Sequence, residues 1–329
     1  MKFGFGIPCC REGITLPVGM VTTQGMIDLA KAADNLGFYS VWFDDYRAPS
    51  PSMKISPPQI PNWFEPLTTI SYLASITKQV RFGTGIMVLP LREPVLLAKQ
   101  VATLDALSGG RIFLGVGLGL HRDEFKLINP AMNKVHRGEM LNEILESIHI
   151  LLDKDVSKFS GKYFEFEDIS INPKPIQKNI PLYFVSMIGD TKENLNRLVK
   201  WGNGFLIRPS VDHVNQRLET LKPILDQSGS DLSGIEVICY GVMSIASTRK
   251  EALERYKLGP ASYRSKGMTD QQIVDTHFIG TPNEIIEKVQ KLREAGVGQC
   301  VANTFPMDSM EEMLEQVKIY GEEIIPAFR

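Results

Sequence analysis

The sequence predicts an α/β fold, a (β/α)8 TIM barrel with short insertions, running as one domain over residues 1–329. Three observations carry this. Short apolar runs alternate with amphipathic helical segments along the chain, eight strand-then-helix units can be counted, and no linker separates them. An open, doubly wound sheet gives the same alternation, so periodicity alone leaves both architectures standing.

The elements follow in order. Residues 2–8 form a short strand rich in Phe and Ile. In TQGMIDLAKAADNLGF, Met26, Ile27, Ala30, Ala33 and Leu36 recur at helical spacing and Gly37 supplies the stop. Then come strand 39–43, helix 67–76, strand 80–88, helix 95–107 opened by Pro94, strand 111–115 and a long helix at 137–152. The polar excursion KYFEFEDISINPKP reads as a small hairpin or edge strand ahead of strand 181–185. Helix 192–200, strand 204–207, helix 211–225 and strand 236–245 continue the pattern. Helices at 250–257 and 282–295, strand 299–303 and helix 310–324 complete it.

Composition narrows the function classes. Lys and Arg total 36 against 38 Asp and Glu, for a net charge of −2, and no basic run stands out, which argues against a nucleic-acid surface. No apolar window is long enough for a membrane span, and the first residues show no secretory pattern. Four cysteines, two of them adjacent at Cys9 and Cys10, do not make a disulfide framework, so a cytoplasmic, reducing location is expected. No His, Cys or carboxylate spacing reads as a metal site.

The glycine-rich stretch ALSGGRIFLGVGLG invites a dinucleotide reading that its spacing rejects. In the G-x-G-x-x-G fingerprint the third glycine would fall at Leu120 or Arg122, and no Walker lysine is present. In a barrel, Gly115, Gly117 and Gly119 instead end the fourth strand, on the face where barrel enzymes build their sites. Glycine there either admits a ligand to the backbone or makes a tight turn.

The segment GIMVLPLREPVLLAKQVATLDALSGGRIFLGVGLG resembles the bacterial-luciferase-like superfamily of flavin- and deazaflavin-dependent barrels. WFEPLTTISYLASIT, the run Gly202-Asn203-Gly204-Phe205, and GTPNEIIEKVQKLREAG agree with it. Within the superfamily, WFDDYR and GVGQCVAN are most similar to the coenzyme F420-dependent methylenetetrahydromethanopterin reductases. The resemblance implies a luciferase-like barrel that transfers a hydride between F420 and a small organic substrate. An FMN-dependent monooxygenase, or a flavin-binding protein without turnover, is the alternative. A homodimer or higher homo-oligomer is also implied.

The same resemblance assigns roles. It places Asp44 against the cofactor and makes Asp45, where the reductases carry histidine, the catalytic acid or base on the substrate side. It puts the group's strand-three bulge, with a non-prolyl cis peptide behind the ring, at Gly85 and Ile86, beside Met87. Gly117 and Leu118 would contact the cofactor, and Ser186, Met187 and Gly189, ahead of a helix, its phosphate-bearing tail; Arg208, by its own position at the end of strand six, lies where a cation could meet a phosphate or carboxylate. Gly6 stands where the reductases carry a carboxylate suited to protonating the pterin. The long Pro-rich loop from Ala48 to Pro66, carrying Trp63 and Phe64, has the length of a lid.

Overall fold

The computed structural model describes residues 1–53, 55, 60–185 and 191–329. Eight parallel strands close into a barrel: β1 (Lys2–Ile7), β2 (Ser40–Phe43), β3 (Arg81–Val88), β4 (Ile112–Gly117), β7 (Leu182–Val185), β8 (Gly204–Ile207), β9 (Glu236–Ile245) and β11 (Gln299–Thr304). Closure comes from β11 pairing with β1 at one seam and β8 with β9 at another. That settles the architecture in favour of the barrel.

Eight helices cover the strands: α1 (Thr23–Leu36), α2 (Pro66–Ala74), α3 (Pro94–Ser108), α5 (Arg137–Asp153), α6 (Lys192–Trp201), α7 (Val211–Ser228), α10 (Pro282–Glu294) and α11 (Met310–Ile319). Local chemistry sets their ends. The Glu93 carboxylate caps α3 by accepting from the Val95 and Leu96 N–H groups at 2.9 and 2.6 Å. Gly109 ends that helix in the left-handed region at φ 70°. A capping box of Thr281 and Glu284, with Pro282 next, opens α10.

Insertions account for the differences from the sequence reading. The excursion is a hairpin, but its strands are β5 (Ser157–Ser160) and β6 (Glu165–Ile169), starting earlier than the polar stretch indicated. Phe159 stacking on Phe166 sets that pairing, a cross-strand contact that composition does not reveal. Three further short elements carry no periodic signal in the sequence: α4 (Arg122–Ile128), α9 (Asp270–Thr276) and β10 (Phe278–Gly280), the last added beside the end of β9. Each is too short to show a period. Helix α8 (Arg249–Leu258) matches expectation, and α11 continues into a wider π-helical turn over Tyr320–Ile324.

The barrel lumen is filled. Trp42, Phe113, Tyr183, Leu206, Ile238 and Val301 form one buried cluster, with Tyr240 packed against it. The rings take space that inward glycines leave open. A Cβ on Gly83 would lie 2.1 Å from the Phe113 ring, and one on Gly115 would lie 2.1 Å from the Thr84 carbonyl oxygen. Outward residues such as Phe5, Phe43, Phe82, Val116 and Phe205 pack instead beneath the helices.

The motif TLDALSGGR proves to be a latch at the opposite end from the mouth. Asp105 accepts from the Gln177 backbone and side-chain N–H groups at 2.9 and 2.7 Å. Arg111 donates to the carbonyls of Ala74 and Val80 at 2.8 and 2.9 Å, tying the end of α2 to the start of β3. Asp34 does similar work, accepting from the N–H groups of Lys78, Gln79 and Val80 at 2.7–2.8 Å.

Two outcomes are expected. Gly83→Ala overpacks the lumen and should cost about 1–3 kcal/mol in urea denaturation, and adding Phe113→Leu should recover part of that loss. Strict additivity of the two costs would contradict the contact. Burial opposes the Asp34 charge, but its three N–H donors prevail and hold its pKa below the ordinary 3.8. A carboxylate lowered on folding stabilises above its unfolded pKa and loses that contribution as pH falls through the folded one. Asp34→Asn should therefore be less stable than the parent at neutral pH and converge on it well below pH 3.8. A gap that stays constant into acid would refute this.

Candidate active site at the barrel mouth

The C-terminal ends of the strands carry two buried ion pairs side by side. Asp44 and Asp45 follow β2 directly, and both are buried. Asp44 pairs with Arg11 from the loop after β1, with side chains 10% and 4% exposed respectively. Burial opposes the charge on Arg11, yet attraction to Asp44, with Tyr240 and Tyr46 nearby, pushes its pKa up, so the guanidinium stays charged. Asp45 accepts from Arg92 Nη2 at 2.7 Å and from the Val88 N–H at 3.0 Å. The other arm of Arg92 reaches Glu65 at 2.8 Å, and Glu65 also caps α2.

Both oxygens of Asp45 are thus occupied in tying the end of β2 to the end of β3. These two bonds hold Asp45 in the wall between the two strand ends. The Cys9 thiol donates to the Asp44 carbonyl oxygen at 3.4 Å and the Cys10 thiol to that of Phe64 at 3.2 Å, both side chains fully buried. Burial raises the Cys9 pKa well above its usual value, so this thiol stays protonated and unreactive.

Strand β3 is irregular where the resemblance placed its bulge. The register against β4 shifts between Thr84 and Met87, and the Gly85–Ile86 peptide is cis. Ile86 is half-buried at the mouth, and its side chain leans on Gly117, where a Cβ would lie 2.2 Å from Ile86 Cδ1. The spacing of GVGLG therefore answers to the bulge. Gly117 admits Ile86, and Gly119, at φ 77°, turns the chain so that its carbonyl accepts from Arg137 at 2.8 Å.

The other expected residues divide. Gly117 and Leu118 are half-exposed at the end of β4, and Arg208 is exposed just beyond β8. Met87 is fully buried and its side chain packs in the outer shell, away from the mouth, because it falls on the outward phase of β3. Ser186, Met187 and Gly189 lie outside the described residues. The inner face of Gly6 is closed by the Asn303 backbone, whose carbonyl oxygen would lie 2.2 Å from a Cβ there. A side chain of any kind at position 6 requires β11 to move.

The described ends of the Ala48–Pro66 loop are tethered. Ser52 Oγ lies 2.8 Å from His121 Nδ1, and the Ser52 N–H donates to Asp123 at 2.8 Å. At the far end Trp63 Nε1 donates to the Glu12 carbonyl oxygen at 3.0 Å, while the buried Glu12 carboxylate accepts from the Val21 and Asn62 N–H groups. Tyr46 and Trp63 face each other with ring centroids 5.3 Å apart. Residues that sequence reasoning missed are Arg11, Glu12 and Tyr240. Arg11 carried a faint signal, a lone cation just past strand one at the level of an Asp pair on strand two. Tyr240 carried another, sharing the inward phase with Ile238.

Two clefts, of ≈ 370 and ≈ 690 Å³, lie outside the barrel wall: one lined by residues of α7, α9 and α10, the other by α5 and the outer faces of β4 and β7. Neither contains the buried charges or the bulge. Chemistry rather than volume points to the mouth.

A sequence match to the luciferase-like monooxygenase family covers residues 1–299. The chain belongs to that family. Among its relatives, an uncharacterized protein of Mycobacterium tuberculosis is 29% identical over 167 residues, a match spanning 51% of this chain and 58% of the relative's length. The 5,10-methylenetetrahydromethanopterin reductase of Methanopyrus kandleri is 23% identical over 92% of this chain and 94% of its own. The solved structure of the coenzyme F420-dependent tetrahydromethanopterin reductase from that organism superimposes with a TM-score of 0.78 at 21% identity, over 100% of this chain and 99% of that one. An FMN complex of a type II Baeyer–Villiger monooxygenase component from Pseudomonas putida gives 0.74 at 18% identity, over 99% and 98%. Luciferase-like neighbours thus include both F420- and FMN-dependent oxidoreductases, and at these identities the structural likeness speaks for the fold. No helix among the described residues is long and apolar enough to cross a membrane.

The ion pair at Asp45 yields a direct test. Arg92→Met should destabilise the chain by about 3–5 kcal/mol in chemical denaturation, because it strands a buried carboxylate, and Asp45→Asn on that background should restore part of the loss. An Arg92→Met variant as stable as the parent would show that the pair does not hold the β2 and β3 ends together.

Proposed function

We propose that the chain is an oxidoreductase that binds a flavin-type ring across the barrel mouth and passes a hydride between that ring and a small organic substrate. Coenzyme F420 is the preferred cofactor and FMN the alternative. The observation that carries the reading is the irregular end of β3, where the bulge at Gly85–Ile86 presents an apolar Ile86 to the mouth beside Gly117 and Leu118. A flat ring needs such an apolar backing, open on one face, with a cation in reach for its anionic tail. Ile86, Leu118 and the 37%-exposed Val185 supply the apolar surface, and Arg208 the cation.

The cofactor supplies the redox chemistry when bound. The chain's own residues orient and insulate. Asp44 and Arg11 place a fixed, compensated dipole at the floor of the mouth, where burial strengthens its field. Trp63, held by Glu12, stands at the rim as an aromatic wall. The near full-length alignment with a methylenetetrahydromethanopterin reductase, and the fold shared with a coenzyme F420-dependent reductase of the same organism, favour F420. The closed inner face of Gly6 argues for a substrate that takes no proton from strand one, and so for one other than methylenetetrahydromethanopterin.

Equilibrium binding to the purified chain, followed by fluorescence quenching, tests this. The expected result is F420 binding at roughly micromolar affinity or better, with no oxygen uptake once the cofactor is reduced. Binding of FMN alone, with oxygen uptake, supports the monooxygenase alternative. Binding of neither overturns the proposal.

A further inference from the structure

Tyr240 sits on β9 and Gly85 on β3, and these strands face each other across the barrel. Around the ring of eight, four pairings separate them in either direction, through β2, β1 and β11 or through β4, β7 and β8. The Tyr240 side chain nevertheless reaches over: its hydroxyl donates to the Gly85 carbonyl oxygen at 2.9 Å. Its ring meets Trp42 edge-on with centroids 5.6 Å apart. A Cβ on Gly85 would lie 2.5 Å from the Tyr240 hydroxyl oxygen. The phenol therefore spans the lumen from wall to wall.

Beneath it the lumen is sealed, with Trp42, Ile238 and Val301 at most 1% exposed, whereas Tyr240 itself is only half-buried. Tyr240 is thus the top of the aromatic plug, the surface that the mouth sees. Beside it lies the Arg11 guanidinium, which interacts with Tyr240, Tyr46 and Asp44 together. A phenylalanine would fill the same space. What the hydroxyl adds is a bond to the Gly85 carbonyl oxygen, within the stretch where the β3 register shifts.

We infer that Tyr240 is a positioning residue for the ring site, floor and strut at once, fixing the height of the Gly85–Ile86 bulge on which the cofactor ring rests. The inference rests on the ring-binding reading above and deepens it. It makes the depth of the mouth a property of one side chain on the far wall. The lower aromatic layer, by contrast, contributes stability without touching the ring.

Riboflavin, which carries the ring without a phosphate, is the probe of the mouth, with F420 and FMN measured beside it. Tyr240→Phe should fold with nearly the parent's thermal midpoint, bind riboflavin and the preferred cofactor about tenfold more weakly, and shift the bound chromophore's absorption maximum. Phe113→Leu, in the lower layer, should lower the midpoint and leave affinity and spectrum unchanged. A folded Tyr240→Phe with parental affinity and spectrum overturns the inference. Should that variant fail to fold, the parent chain serves. Carbonyl-13C glycine with 15N isoleucine selects the Gly–Ile peptides, Gly85–Ile86 among them, and the Gly85 carbonyl signal should move when riboflavin is added. An unmoved signal overturns the inference equally. A parent chain that binds none of the three ligands instead overturns the functional reading on which it stands.

Discussion

The structure depends on a volume constraint inside the barrel. Eight short strands enclose a lumen that must be filled, and this chain fills it with the rings of Trp42, Phe113, Tyr183 and Tyr240 set against inward glycines. The few polar atoms of these rings are matched locally, Trp42 Nε1 by Ser40 Oγ at 2.8 Å and the Tyr183 hydroxyl by Glu236 at 3.0 Å, and the charged pairs are gathered at the strand ends instead. At its top the Tyr240 hydroxyl donates to the Gly85 carbonyl oxygen and so joins the plug to the β3 bulge.

Above the plug, charge is placed in compensated pairs. Asp44 pairs with Arg11 and Asp45 with Arg92, so each carboxyl at the mouth is matched by a guanidinium at short range. An unmatched carboxylate there would suffer the full desolvation penalty. The pairing divides labour between two neighbouring residues. Asp45 holds β2 to β3 through Arg92 and Val88, while Asp44 joins a group that includes Arg11 and lies close to Tyr46 and Tyr240. The loop after β1 is part of the same construction, since Glu12 knits residues 12, 21, 62 and 63 around the rim.

Much of this was legible in the sequence. Strict strand and helix alternation gave eight units, and the cis peptide falls on the Gly85–Ile86 position that the family resemblance indicated. The motif that makes the resemblance most specific, TLDALSGGR, turned out to be structural: Asp105 and Arg111 latch the N-terminal face, where barrels spend residues on stability. What stayed hidden were relations between distant segments. Nothing in DD announces that Arg92, 47 residues on, takes the second aspartate, and nothing in CYG announces a bond to Gly85, 155 residues away. Strand phase misled at Met87, because adjacency in sequence to a bulge says nothing about which side of the wall a side chain takes. Glycine spacing misled in a more useful way. Gly115 and Gly117 accommodate Thr84 and Ile86 of the neighbouring strand, a steric need that resembles a ligand loop only on paper.

The central claim is that the site lies above the aromatic plug. It is tested most directly by a crystal structure of the chain grown with coenzyme F420. The account predicts the deazaflavin ring in the mouth, one face against Ile86 and Tyr240 beneath the bulge, with its tail toward Arg208. A ring lodged in one of the clefts outside the barrel wall, or a mouth left empty at saturating F420, would contradict it.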